Sequence, residues 1–145
     1  MRVSIALLCG LLLWAPGAFA ENSTKVNGYT IHHNALTTDA LSPDVASAYG
    51  IQRSHNRGMV NISIIKDREG STGTPVSGQV RLQARNLIGQ TREIPLREIR
   101  EQDAVYYIAD FLVADRERLV FSIEAQPRGE AYPLKARFEQ EFFTN

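Results

Sequence analysis

Leu119-Val120-Phe121-Ser122-Ile123-Glu124-Ala125-Gln126 alternates large apolar residues with residues of the other phase. Leu119, Phe121, Ile123 and Ala125 fall on one face of an extended chain, and Val120, Ser122, Glu124 and Gln126 on the other. A period of two over eight residues is the mark of a half-buried strand, because successive side chains point to opposite faces of a sheet. Phe121 and Ile123 are therefore expected in the core.

The same period recurs outward from this segment. Tyr29, Ile31, His33 and Ala35 share a phase against Thr30, His32 and Asn34. Val60, Ile62 and Ile64 alternate with Asn61, Ser63 and Ile65, and Val80, Leu82 and Ala84 with Arg81, Gln83 and Arg85. Leu134, Ala136 and Phe138 alternate with Lys135, Arg137 and Glu139. Ile94 and Leu96 form a weaker run that Pro95 assigns to a sheet edge. Val105–Val113 is apolar on both phases, as in a strand covered on both sides. Turn-forming residues separate the runs at 67–75, 86–90, 114–117 and 127–129. Glu21–Asn27 is polar and is expected to be loose.

Ser42 to Gly50 breaks the alternation. Ser42 suits a helix cap, Pro43 the first helical position and Gly50 the residue after the last turn. The expected fold is all-β: a single immunoglobulin-like or fibronectin-like sandwich of about seven strands, with one short helix between the first two.

The compartment is written in the first twenty residues. Arg2 precedes an apolar run from Val3 to Trp14, then Pro16-Gly17 and Ala18-Phe19-Ala20. A charged start, a short apolar segment and a small-x-small site form a cleavable secretory signal. The run is too short for a membrane span, which needs about 20 apolar residues. Leu8 before Cys9 does not suit a lipid-modification site. Cleavage after Ala20 leaves an exported domain of residues 21–145, with no membrane span.

The chain carries 16 basic and 16 acidic side chains, and loss of Arg2 leaves 15 against 16. No long-range field recruits nucleic acid. Cys9 is the chain's one cysteine and departs with the signal. Thiol chemistry, disulfides and cysteine zinc sites are excluded from the exported domain.

Three constellations bear on function. Tyr49, Arg53, Ser54, His55, Asn56 and Arg57 crowd one irregular stretch. Two guanidiniums four residues apart suit a carboxylate, phosphate or sulfate, with Tyr49 as an aromatic platform. The same side chains often tie an irregular crossover to backbone carbonyls and acids, and that structural role is the first expectation here. His33, His55 and Met59 form an alternative copper set, since imidazole and thioether groups suit that metal. His32 and His33 point to opposite strand faces, so at most one joins a common site. Asp110, inside the apolar run, needs a partner, for which Arg57 or Arg53 is available. No triad context surrounds Ser63 or Ser122. The reading is a non-enzymatic binding or interaction module without a cofactor. Its partner is a periplasmic protein, an envelope component or a small anionic ligand; the alternative is periplasmic copper handling.

The stretch AYGIQRSHNRGMVNISIIK (Ala48–Lys66) resembles the signature of the DUF4426 family, exported proteobacterial proteins of unknown function. YTIHHNALTTDALSPDVA (Tyr29–Ala46) and YYIADF (Tyr106–Phe111) extend the likeness over most of the exported chain. The resemblance implies a single periplasmic domain in a Gram-negative bacterium. It carries no known activity, so it assigns no catalytic residue.

Overall fold

The alternating run Leu119–Gln126 forms the body of a long strand at the middle of a sheet. In the structure, a computed structural model, residues 22–145 are described. The signal read at residues 1–20, including Cys9, lies outside them. The elements in chain order are β1 (Ser23–Val26), β2 (Tyr29–Thr37), a 3-10 turn (Thr38–Ala40), α1 (Pro43–Tyr49), β3 (Arg57–Lys66), β4 (Thr74–Val76), β5 (Gly78–Arg85), β6 (Thr91–Ile94), β7 (Arg97–Glu101), β8 (Ala104–Leu112), β9 (Glu117–Pro127) and β10 (Leu134–Phe142).

The strands make two antiparallel sheets. The first runs β1-β2-β3-β8-β7, with β4 beside the end of β3, and the second runs β10-β9-β5-β6. Each expected phase is the observed one. Ile31, Val60, Ile62 and Ile64 of the first sheet are fully buried with Leu82, Phe121, Ile123 and Ala125 of the second. Burying one such large side chain contributes about 1.5–3 kcal/mol. The Phe121 ring stacks on Phe138 at 4.9 Å and meets Phe111 and Phe142 at 5.8 and 6.3 Å. Four aromatic residues thus take the space a disulfide often occupies in small exported sandwiches.

The expected seven strands become ten, for three local reasons. Asn27 and Gly28 have φ of 49° and 80°. That left-handed pair makes a two-residue hairpin of the type that favours Asn-Gly, so the segment expected to be loose pairs as β1, Val26 opposite Tyr29. The helix consequently follows the second strand instead of the first. Thr74–Val76 pairs with Ile64–Lys66 as the three-residue β4. Finally, the run around Pro95 is two strands. Pro95 cannot donate to a ladder, and there the chain leaves β6 in one sheet for β7 in the other. Ile94, just before it, is buried in the core.

β8 is covered on both sides, as its composition requires. Val105, Tyr107, Ala109 and Phe111 face the main core. Ile108 faces the other way, into a small cluster with Met59 and Ile51, flanked by Leu36, Leu41, Tyr49, Ile99 and Tyr106.

Phe121→Ala is expected to cost about 3–5 kcal/mol, the usual range for a fully buried phenylalanine. Denaturant unfolding of the purified domain measures it. A loss below 1 kcal/mol would contradict the aromatic packing described here.

Candidate functional site

The connection from β2 to β3 joins neighbouring strands, yet it is far longer than a hairpin. Its length is used to cover the outer face of the first sheet. Leu41, Tyr49 and Ile51 pack over Met59 and Ile108. Getting there needs a compact path, and α1 supplies one. The Ser42 hydroxyl accepts the Val45 N–H at 3.3 Å. Gly50 has φ of 66°, and its N–H returns to the last turn of the helix. Two β7 side chains hold the helix end. Arg97 Nη2 donates to the Tyr49 carbonyl at 2.9 Å, and the Tyr49 hydroxyl donates to Glu101 Oε2 at 3.2 Å. Burial, then Glu101, raises the Tyr49 phenol above its ordinary pKa, so it stays a neutral donor.

Thr38 is the hub of the crossover and is fully buried. Its hydroxyl accepts the Ser54 N–H at 2.8 Å and lies 2.8 Å from the Gln52 carbonyl and 3.1 Å from that of Ser54. Arg53 closes the same loop from outside. Its Nε donates to the Leu41 carbonyl at 2.7 Å and its Nη2 to the Asp39 carbonyl at 3.0 Å. The Ser54 hydroxyl donates to Asn56 Oδ1, and the Asn56 carbonyl accepts the Val113 N–H at 2.9 Å. Arg57 reaches across the β3–β8 ladder. Its Nε and Nη2 lie 3.0 and 2.6 Å from one oxygen of Asp110. The pair is about three-quarters buried on both sides. This is the partner that Asp110 required.

Tyr49, Arg53, Ser54, Asn56 and Arg57 are thus brought together, but their polar groups turn onto the chain itself. His55 is exposed at the turn. The arrangement clamps a crossover, with Nε and Nη2 of each guanidinium bonded within the chain.

The copper set is not assembled. His33 faces the main core, stacked on Phe138 at 4.4 Å with 10° between the planes. Met59 lies in the small cluster on the opposite face of the same sheet. The cause is parity: His33 pairs with Ile62, three residues along β3 from Met59, so the two take opposite phases. His32 is exposed. Among the described residues no three His, Cys, Asp or Glu side chains are placed to hold a metal. His33 Nε2 is 3.2 Å from the Thr24 hydroxyl, and its buried Nδ1 has no partner. Burial, with His32 second, pushes its pKa below the ordinary value.

The β5–β6 turn lies where residues 86–90 were expected to turn, but sequence reasoning missed its apolar tip. Asn86 and Gln90 close it with a backbone bond at 3.0 Å and two side-chain bonds at 2.9 and 2.8 Å. Leu87 and Ile88 stand at its tip, 78% and 80% exposed. Two large apolar residues inside a turn signal were the available clue, since turns favour Gly, Asn, Asp and Ser. Leu112 (61%) and Phe143 (59%) are exposed at the same end of the sandwich, where Arg92 of β6 reaches the Leu112 carbonyl. At the opposite end a cleft of about 400 Å³ is lined by Glu98, Glu130, Arg100 and Arg128. Its charges balance, so it selects neither sign.

The DUF4426 model, described as a domain of unknown function, matches residues 23–145. The chain belongs to the DUF4426 family. A member of known structure, from Pseudomonas aeruginosa PAO1, is 30% identical with a TM-score of 0.70, over 83% of this chain and 93% of that one. The fold also occurs in FetP of uropathogenic Escherichia coli strain F11. The protein as isolated gives a TM-score of 0.60 at 11% identity, over 83% of this chain and 92% of that one. A copper-bound single-residue variant gives 0.56 at 12% identity, over 85% and 95%. No curated protein matches the chain.

Two outcomes follow from the crossover and from His33. Thr38→Val keeps the shape but strips the Ser54 N–H and the two carbonyls of their partner. A cost of about 1–3 kcal/mol is expected, with faster amide exchange confined to residues 50–57; unchanged exchange there would refute the hub. Burial lowers the His33 pKa in the fold, whereas the unfolded chain binds the proton near an ordinary pKa of about 6.5. Its contribution is therefore full above that pH and is lost as pH falls through it. His33→Phe should flatten the decline in unfolding free energy between about pH 7 and 5. Parallel profiles for variant and wild type would show that His33 does not titrate this way.

Proposed function

We infer that this DUF4426 member is exported to the periplasm and works there as a non-enzymatic interaction module on an immunoglobulin- or fibronectin-like frame. The leader pattern of Arg2, Val3–Trp14 and Ala18-Phe19-Ala20 supports export. The order β2-β3-β8-β7 over β10-β9-β5 parallels the four-over-three strand arrangement of immunoglobulin constant-type domains. One observation carries the interaction reading: Leu87, Ile88, Leu112 and Phe143 are exposed at one end of the sandwich. Their hairpin is stiffened by the Asn86–Gln90 bonds, so little ordering is needed on binding. Exposed apolar groups gathered in one region mark contact sites for proteins or other envelope components. A small anionic ligand is less well served, because Arg53 and Arg57 are bonded within the chain.

Copper handling is the second reading, favoured by the copper-bound FetP variant of the same fold. At 12% identity that likeness reaches the fold alone. With His33 and Met59 on opposite sheet faces, a copper role here requires ligands other than the set His33, His55 and Met59.

Replacing Leu87 and Ile88 together by Ser tests the interaction reading. Stability should stay within about 0.5 kcal/mol, as at other surface positions. Photo-cross-linking in periplasm from residue 90, beside the tip, should capture a defined product in the wild type and lose it in the variant. Equal capture by both would remove the hairpin from the reading.

A further inference from the structure

The four sheet edges are not equally protected. β1 and β6 are four residues each. β7 is tied to the end of α1 through Arg97 and Glu101. β10 is nine residues long and pairs with β9 alone. Among the described residues its other edge makes no backbone hydrogen bond. A long unpaired edge presents a row of N–H and C=O groups to another strand.

The sequence of β10, Leu134-Lys135-Ala136-Arg137-Phe138-Glu139-Gln140-Glu141-Phe142, is complementary to itself when reversed. Centred on Phe138, an antiparallel copy sets Lys135 against Glu141 and Arg137 against Glu139, each twice by symmetry. Leu134 meets Phe142 on the inner face. A shift by one residue puts core-facing positions opposite solvent-facing ones, which the period of two forbids. A shift that keeps the faces sets Arg137 against Arg137 or Glu139 against Glu139 at the axis, and larger shifts bring Lys135 against Arg137 or Glu139 against Glu141. Only the register centred on Phe138 pairs every charge with its opposite. Within one copy Lys135 faces Glu124 and Glu141 faces Arg118 on β9, but Arg137 faces Ser122 and Glu139 faces Val120. Among the described residues neither has an ion pair. Glu141, bonded to Arg118 at 3.2 Å, stands where it can also accept Lys135 of a second copy.

We propose that β10 is a self-pairing edge through which two copies of this chain form a symmetric dimer, joining their four-stranded sheets into one sheet of eight. A twofold axis through Phe138 makes the contact isologous, so assembly closes at two copies. Opposite charges directly across an antiparallel pair stabilise it, and like charges there oppose it.

Sedimentation equilibrium of the exported protein tests this with charge reversals. The wild type should sediment as a dimer. Arg137→Glu sets like charges opposite each other twice and should halve the mass, and Glu139→Arg should do the same. Arg137→Glu combined with Glu139→Arg restores both pairs and should restore the dimer. Both sites are exposed, and a thermal melt confirms that each variant is folded. A wild type that stays monomeric up to millimolar concentration would overturn the proposal, leaving the charges as a guard against edge pairing. A dimer that survives both single reversals would also overturn it, by placing the interface elsewhere.

Discussion

β8 is apolar on both faces, and β3 beside it adds Met59 to the outer one, so each face of the first sheet must be covered. The second sheet covers one through Phe121, Ile123 and Leu82. The other needs a separate cover, and residues 38–56 provide it by laying Leu41, Tyr49 and Ile51 over Met59 and Ile108. Much of the local chemistry follows from this demand. A cover made of irregular chain must satisfy its own backbone groups away from water. Thr38, Arg53 and the α1 caps do so at 2.7–3.3 Å.

That dependence explains why the direction of the two arginines was not legible in the sequence. Residue types at 53 and 57 fit an anion site as well as a brace, since a guanidinium presents the same fork to a carbonyl, a carboxylate or a phosphate. What decides between them is which acceptors the fold brings within reach. The carbonyls of Asp39 and Leu41 are left over at the 3-10 turn, where no ladder takes them. Asp110 sits opposite Met59 on β8, one diagonal step from Arg57. Both facts depend on long-range register, which local spacing does not carry. The need of Asp110 for a partner was legible, because a carboxylate in an apolar strand implies one.

The fold was legible to the extent that period two was uninterrupted. The phases of Tyr29–Ala35, Val60–Ile64, Val80–Ala84, Leu119–Ala125 and Leu134–Phe138 are the observed ones. Ser42, Pro43 and Gly50 mark the helix ends directly, because capping chemistry is local. Losses came where a short signal was outweighed by composition. Asn27-Gly28 is a hairpin signal four residues after a polar start, and polarity alone made the segment read as loose. Pro95 was read as an edge marker, when its effect was to end one strand and let the next begin in the other sheet. β4 carries no period of its own and pairs where β3 runs on past its ladder with β8.

The same parity that builds the core also sorts the chemistry-bearing residues. It sends His33 inward against Phe138 and Met59 outward beneath the crossover, so a thioether and an imidazole close in sequence are divided by a sheet. It places Lys135, Arg137, Glu139 and Glu141 together on the solvent side of one strand. The faces of the sandwich are thereby charged and its interior apolar, which leaves the ends and edges to carry any large exposed apolar group. Leu87 and Ile88 sit at such an end, on a turn held by side-chain bonds that do not involve them. The bonds that close the hairpin therefore do not depend on the exposure of Leu87 and Ile88.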